Sequence, residues 1–178
     1  SLGRRVFLVH GASGRHIAPF LEAGKARGLV VTGHACPAEP DLSLLAEALT
    51  VARNHGTECV VAIGGGAALD LGKAVAALLP APGDLIDHLE VVGKGLPLER
   101  QPRPCLAVPT TAGTGAEVTR NAVIGVPEHG RKVSLRDARL IPDIALVDPA
   151  LTDGAPRAVT LGSGLDAVTQ VIEPYLST

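Results

Sequence analysis

Three consecutive glycines, Gly64-Gly65-Gly66, followed by Ala67, Asp70 and Lys73, are the residues of this chain best suited to hold an anion. Without Cβ atoms they let a ligand approach the backbone, and the free N–H groups of a helix that starts there point at it. That geometry suits a phosphate or pyrophosphate. A second stretch, Pro109-Thr110-Thr111-Ala112-Gly113-Thr114-Gly115-Ala116-Glu117, offers hydroxyls and backbone amides to phosphate or ribose oxygens. Each stretch also has a plainer reading: a βα turn that uses glycine for tight packing, and a Ser/Thr loop that satisfies its own backbone. Lys73 and Lys132 could neutralise phosphate charge, although Lys73 equally reads as a solvated helix lysine paired with Asp70. Two familiar fingerprints fail. The P-loop pattern is broken by Ala67 and by Ala74 after Lys73, and Leu69 stands where G-x-G-x-x-G needs its last glycine.

Asp166 and Glu173 fall seven apart on a predicted final helix, on roughly one face. Asp166 follows Gly162-Ser163-Gly164 and reads either as a dipole partner near a helix start or as a metal ligand. A metal site would want a His one turn on, and position 170 is Gln. The six histidines form no pair at i,i+3 or i,i+4 and read as surface or loop residues. No nucleophile–base arrangement emerges from local spacing, so the catalytic residues stay unassigned.

The elements that must position these groups alternate between strand and helix. Val6–Val9 read as a first short strand ending at His10-Gly11-Ala12-Ser13-Gly14. A helix follows from about Ile17 to Arg27, with Ile17, Phe20, Leu21 and Gly24 on one face, and then a strand over Leu29–Thr32. Asp41 is an expected N-cap for a helix with stripe Leu42, Leu45, Leu49 and Ala52, closed by His55-Gly56. Cys59–Ile63 read as a buried strand, and Ala68, Leu71, Val75 and Leu78 as the stripe of the helix after the glycines. Residues 84–104 look like a surface excursion. Further strands are expected at Cys105–Val108, Ala122–Val126, Lys132–Leu135 and Ile144–Val147, with a hairpin around Glu128-His129-Gly130. Strand–helix alternation with short links predicts an α/β, Rossmann-like parallel sheet with helices on both faces. Loops at the carboxyl ends of such strands are where ligands sit.

At 178 residues and 46% hydrophobic, the chain can build one aliphatic core, with two Phe, one Tyr and no Trp. A net charge of −2 gives no electrostatic footprint for nucleic acid, and no apolar run approaches the ~20 residues that span a bilayer. Cys36, Cys59 and Cys105, odd in number and widely spaced, read as reduced thiols of a cytoplasmic protein. From Pro156 onward, Leu165, Val168, Val171, Ile172 and Leu176 form a helical stripe. The expected division is a dinucleotide-binding α/β domain over 1–155 and, over 156–178, the start of a truncated helical domain.

Three segments in this order resemble the iron-containing (group III) alcohol dehydrogenases, relatives of glycerol dehydrogenase and maleylacetate reductase. They are Ala62 to Asp70 with Lys73, Val108 to Thr119, and Gly164 to Glu173; Lys132, Pro142 and Val147-Asp148-Pro149 also fall where the family has them. The resemblance covers about the first half of a family member. It implies an NAD(P) site in which Gly65, Gly66 and Ala67 hold the pyrophosphate, with Gly64 and Asp70 cofactor-binding residues of the same motif. Ala67 stands where the family usually has Ser. Thr110, Thr111 and Thr114 would line the nicotinamide half, and Asn121 and Lys132 would reach ribose or diphosphate. NAD-preferring relatives often end the first strand with an Asp for the adenosine 2′-hydroxyl. Here that position is Gly11, followed by Ser13 and Arg15, which leans the expectation to NADP. The family's divalent ion, Fe²⁺ or Zn²⁺, would take Asp166 and, weakly, Gln170 in place of a His. Its remaining ligands would lie beyond Thr178. The expected parent reaction is hydride transfer between NAD(P)(H) and a small alcohol/carbonyl pair, with the 178-residue chain binding cofactor but not turning over. A metal-independent parent like maleylacetate reductase, a non-catalytic nucleotide-binding module, and a homodimer remain as alternatives.

Overall fold

A computed structural model describes residues 2–177. In chain order the elements are β1 (Arg5–Gly11), α1 (Ile17–Ala26), β2 (Val30–Cys36), α2 (Leu42–His55), β3 (Cys59–Gly64), α3 (Gly66–Leu78), β4 (Cys105–Pro109), β5 (Asn121–Val126), β6 (Arg131–Arg136), β7 (Ile144–Ala145) and α4 (Arg157–Leu176). Five strands form a parallel sheet in the order β2-β1-β3-β4-β7, and β5 and β6 make a separate antiparallel hairpin. This is the expected α/β architecture.

Alternation along β1 sorts its side chains onto the two sheet faces. Phe7 and Val9 join Val60, Ala62 and Ala107 under α2, α3 and the hairpin, whereas Val6 and Leu8 join Val61 and Ile63 under Ile17 and Phe20 of α1. The centre of the larger layer is α3, which is buried nearly all round rather than along one stripe. Its closeness to the sheet depends on Gly72, where a Cβ would stand 2.6 Å from the Cβ of Ala62. The ends of α2 are set by local chemistry. The Asp41 carboxylate accepts from the Leu44 N–H at 2.8 Å, and Gly56 takes the left-handed conformation that ends many helices.

Several expectations need correction. β2 starts at Val30 and runs on to Cys36, beyond Thr32, because the parallel ladder to β1 carries it as far as Gly11. Leu21 is exposed on α1. Residues 84–104 are not simply superficial, since Leu89, Leu98 and His88 are buried beside the larger core layer. Histidines are not confined to surface and loops: His10 and His34 lie on strands, and the ring of His88 meets the carbonyls of Leu96 and Pro82. β7 is only two residues long. Helix α4 begins at Arg157, so Gly162-Ser163-Gly164 lie inside it and Asp166 sits mid-helix, away from any capping position. None of its described residues is buried, and Leu165, Val168 and Val171 are 68%, 54% and 72% exposed. No helix among the described residues is long and apolar enough to cross a membrane.

Candidate functional site

The strand order reverses direction between β1 and β3, because α1 leads outward to β2 on one side and α3 to β4 on the other. Open α/β sheets bind ligands at such a switch point, outside the carboxyl ends of the strands. Here Gly11 ends β1 and Gly64 ends β3. A Cβ on Gly64 would lie 3.1 Å from the Gly11 nitrogen and 2.6 Å from the Cβ of Ala68. A small crevice lies at this point, lined by Gly11, Ser13, Gly14, Arg15, His16, Gly64 and Thr110.

Gly65 is the N-cap of α3, extended and without any side-chain cap, so the first N–H groups of the helix are left for another partner. The threonine loop folds directly over this helix start. The Thr110 N–H donates to the Gly64 carbonyl at 2.9 Å. A Cβ on Gly65 would come within 3.3 Å of Thr111, and one on Gly66 within 2.8 Å of Thr114. Glycine at both positions lets the threonine loop come this close. The two hydroxyl-bearing residues are delivered to the mouth of the helix, as an anion site requires.

Lys73 pairs with Asp70, as one of the two expectations had it, but not at the surface. It is neither solvated nor turned to the cleft: its ammonium is fully buried. It lies 3.2 Å from an Asp70 carboxylate oxygen and donates to the Ala116 carbonyl at 2.8 Å and to Thr119 Oγ1 at 3.0 Å. Burial pushes the Lys73 pKa down and the Asp70 pKa up, and each charge partly offsets the other's shift. Asp70 also accepts the Val123 N–H at 3.2 Å. The pair thus ties α3 to the end of the threonine loop and to β5.

Beyond α3 opens a cleft of about 640 Å³, lined among others by Gly66, Ala67, Asp70, Thr114, Asn121, Lys132, Asp166, Gln170 and Glu173. Lys132 reaches it from β6 and pairs with Glu39 at 3.1 Å, both largely exposed. Asn121 extends from β5 towards Ser134 at 3.5 Å. Most of the expected cofactor residues divide between these two spaces: Gly11, Ser13, Gly64 and Thr110 line the crevice, Gly66, Ala67, Asp70, Thr114, Asn121 and Lys132 line the cleft, and Gly65 lines neither. Thr111 bounds a third groove, between the threonine loop and Val159, Thr160 and Ser163 of α4. Sequence reasoning missed Glu39 and His16. Glu39 stands between Pro37 and Pro40, just past the carboxyl end of β2, and that position was a usable signal.

Asp166 and Gln170 do share the cleft wall. Yet the Gln170 amide nitrogen donates to the Gly113 carbonyl at 3.0 Å, and no group of three or more His, Cys, Asp or Glu among the described residues could hold a metal ion. These residues do not by themselves make a metal centre.

The family profile described as "Iron-containing alcohol dehydrogenase" matches residues 1–149. The chain is 41% identical over 162 residues to "Probable alcohol dehydrogenase EutG" of Escherichia coli (strain K12), covering 87% of this chain and 40% of that protein. It is 36% identical to 4-hydroxybutyrate dehydrogenase of Cupriavidus necator, over 79% of this chain and 37% of the relative. Among solved structures, a 1,3-propanediol oxidoreductase superposes with a TM-score of 0.89 at 29% identity, over 99% of this chain and 46% of that one. The sulfoacetaldehyde reductase of Bifidobacterium kashiwanohense, in complex with NAD+, gives 0.86 at 28%, over 98% and 46%. This chain spans less than half the length of these relatives. By profile, identity and fold, it belongs to the iron-containing alcohol dehydrogenase family.

Proposed function

We infer that this chain is the dinucleotide-binding part of an oxidoreductase that moves hydride between NAD(P)(H) and an alcohol/carbonyl pair. One observation carries this reading: the uncapped start of α3, the Gly11–Gly64 crevice and the threonine loop converge at the switch point of a parallel sheet. The NAD+ complex of the sulfoacetaldehyde reductase, whose fold this chain shares, supports it. The backbone N–H groups after Gly65 would take the pyrophosphate, with Ala67 adding no side-chain hydrogen bond. Thr110, Thr111 and Thr114 would orient the adjoining ribose and ring. The bound cofactor supplies the hydride, and the protein supplies binding and orientation.

The division into a 1–155 body and a 156–178 helical start belongs to the same proposal, supported by the absence of any buried residue on α4. So does the lean to NADP. Gly11 brings no carboxylate to the crevice, whereas Ser13 and Arg15 line it, and the Arg15 guanidinium reaches the Asp153 carbonyl at 3.3 Å. A 2′-phosphate would meet a cation there and no opposing charge. Calorimetric titration with NADPH and, separately, NADH tests both parts. Saturable binding that is tighter for NADPH is expected. Equal or tighter NADH binding overturns the preference, and binding of neither overturns the dinucleotide reading. The bond from Gln170 to Gly113 favours a parent with altered metal dependence, as the maleylacetate reductase branch suggested.

A further inference from the structure

Gln170 occupies the helix position at which the family resemblance expects a metal ligand, one turn after Asp166. Its side chain is already committed elsewhere. Nε2 donates to the Gly113 carbonyl at 3.0 Å across 57 positions of sequence. A carbonyl can only accept, so the nitrogen end of the amide must face the loop. A second contact brings α4 to the same residue. A Cβ on Gly113 would stand 2.6 Å from the Ser163 carbonyl oxygen and 2.8 Å from the Ser163 Cα, so the helix backbone rests on the loop. From the opposite side, Lys73 holds the far end of the loop through Ala116 and Thr119. Between the two ties lie Thr114 and Gly115, and Thr111 lies just before Gly113. The two threonines stand over the first glycines of α3.

We propose that Gln170 is a positioning residue: its amide latches the Gly113 carbonyl to α4 and so fixes the threonine hydroxyls over the start of α3, and it does not serve as a metal ligand. An imidazole or carboxylate used as a ligand would turn its lone pairs to an ion. At this site the neutral amide turns a donor to a carbonyl. The consequence for binding rests on the dinucleotide reading, but the consequence for the loop does not.

The test uses the 178-residue protein with Gln170→Glu, which keeps size but replaces the donor with an oxygen facing the carbonyl, and with Gln170→Ala. Gln170 is exposed, so neither change disturbs the core. Val171→Ala, on an exposed neighbour, is the control. Hydrogen–deuterium exchange read over residues 110–119 should speed up in both Gln170 variants and not in the control, with β3 and α3 unchanged. NADPH affinity followed by cofactor fluorescence should fall about 3- to 10-fold, the loss of one hydrogen bond, and further for Glu than for Ala. Unchanged loop exchange overturns the latch. So does saturable Zn²⁺ binding to the parent chain at micromolar concentration that Gln170→Ala abolishes. If the parent chain binds neither NADPH nor NADH, the dinucleotide reading fails while the exchange result still decides the latch.

Discussion

Lys73 Nζ on α3 and Thr119 Oγ1 lie 3.0 Å apart, and the Ala116 carbonyl lies 2.8 Å from the same ammonium. Forty-odd residues of sequence separate the partners, so this bond determines where the threonine loop ends. Lys73→Met removes the ammonium, leaving Asp70 as a half-buried carboxylate with one N–H donor and the Ala116 carbonyl with only the 3.4 Å bond from Thr119 Oγ1. Breaking a fully buried pair from one side costs ~3–5 kcal/mol, and this pair, whose carboxylate edges the cleft, should cost less than that. Urea denaturation should show that loss, and Asp70→Asn in the same chain should recover part of it.

The two helix glycines should separate stability from binding. Gly72→Ala drives a Cβ into Ala62 under the sheet and should cost ~1–3 kcal/mol with dinucleotide affinity retained. The atoms nearest a Cβ in Gly66→Ala belong to the side chain of Thr114, an exposed residue, so Tm should stay close to the parent. Because it displaces that threonine from the helix start, NADPH affinity should fall by about an order of magnitude or more. Calorimetry and thermal melting on both variants check the separation.

Gly11→Asp restores a carboxylate to the crevice at the end of β1. NADPH binding should weaken through repulsion of the 2′-phosphate, and NADH binding should hold or improve. The ratio of the two dissociation constants is the measurement.

Acid should loosen the amino end of the sheet. The Glu58 carboxylate accepts from the backbone N–H groups of Arg4 and Arg5 at 2.6 and 3.1 Å and pairs with the Arg5 guanidinium at 2.9 Å. These donors, led by the two backbone amides, hold its pKa below the ordinary value of about 4.3. A depressed carboxylate pKa means the folded form binds protons less readily than the unfolded form. Its stabilisation is therefore complete above about pH 4.3 and is lost as pH falls through the folded pKa. Tm followed from pH 6 to pH 3 should drop less steeply in Glu58→Gln than in the parent.

All three thiols should be silent in the folded protein. Burial pushes Cys36 up to about 11 and Cys105 up to about 12, and raises Cys59 as well. A thiol reagent at pH 8 should label none of them rapidly and all three after denaturation.

Where a signal lay within a few residues, the sequence was readable. Asp41 and Gly56 marked both ends of α2, and the apolar run Cys59–Ile63 before three glycines marked the strand, turn and helix around which the site is built. Gly11 and the threonines were placed at strand ends and stand there. Hidden were the relations that only tertiary packing creates. The acceptors of Lys73 come from residues 116–119, so nothing near position 73 announced its burial. Gly33 and His34 interrupt the apolar run of β2, whose length is imposed by β1. Leu89 and Leu98 are isolated among prolines and charges, yet they enter the core because the excursion folds back on it. Gln170 looked like a degraded ligand, and its actual partner lies on the threonine loop, 57 positions earlier in the sequence.

The strand order also bears on kinetics. β1 pairs with β2 across one short crossover, but Val6 meets Cys59 only after β2 and α2 have been accommodated. Such non-local pairing makes folding slow. The crevice between Gly11 and Gly64 exists only once β1 and β3 have zipped together. A dinucleotide seated there would bridge two strands that are distant in sequence and stabilise the native state with the logarithm of its free concentration above Kd. Saturating cofactor should lower the unfolding rate more than it raises the folding rate, making the ligand a clasp on the seam of the sheet with the widest sequence separation.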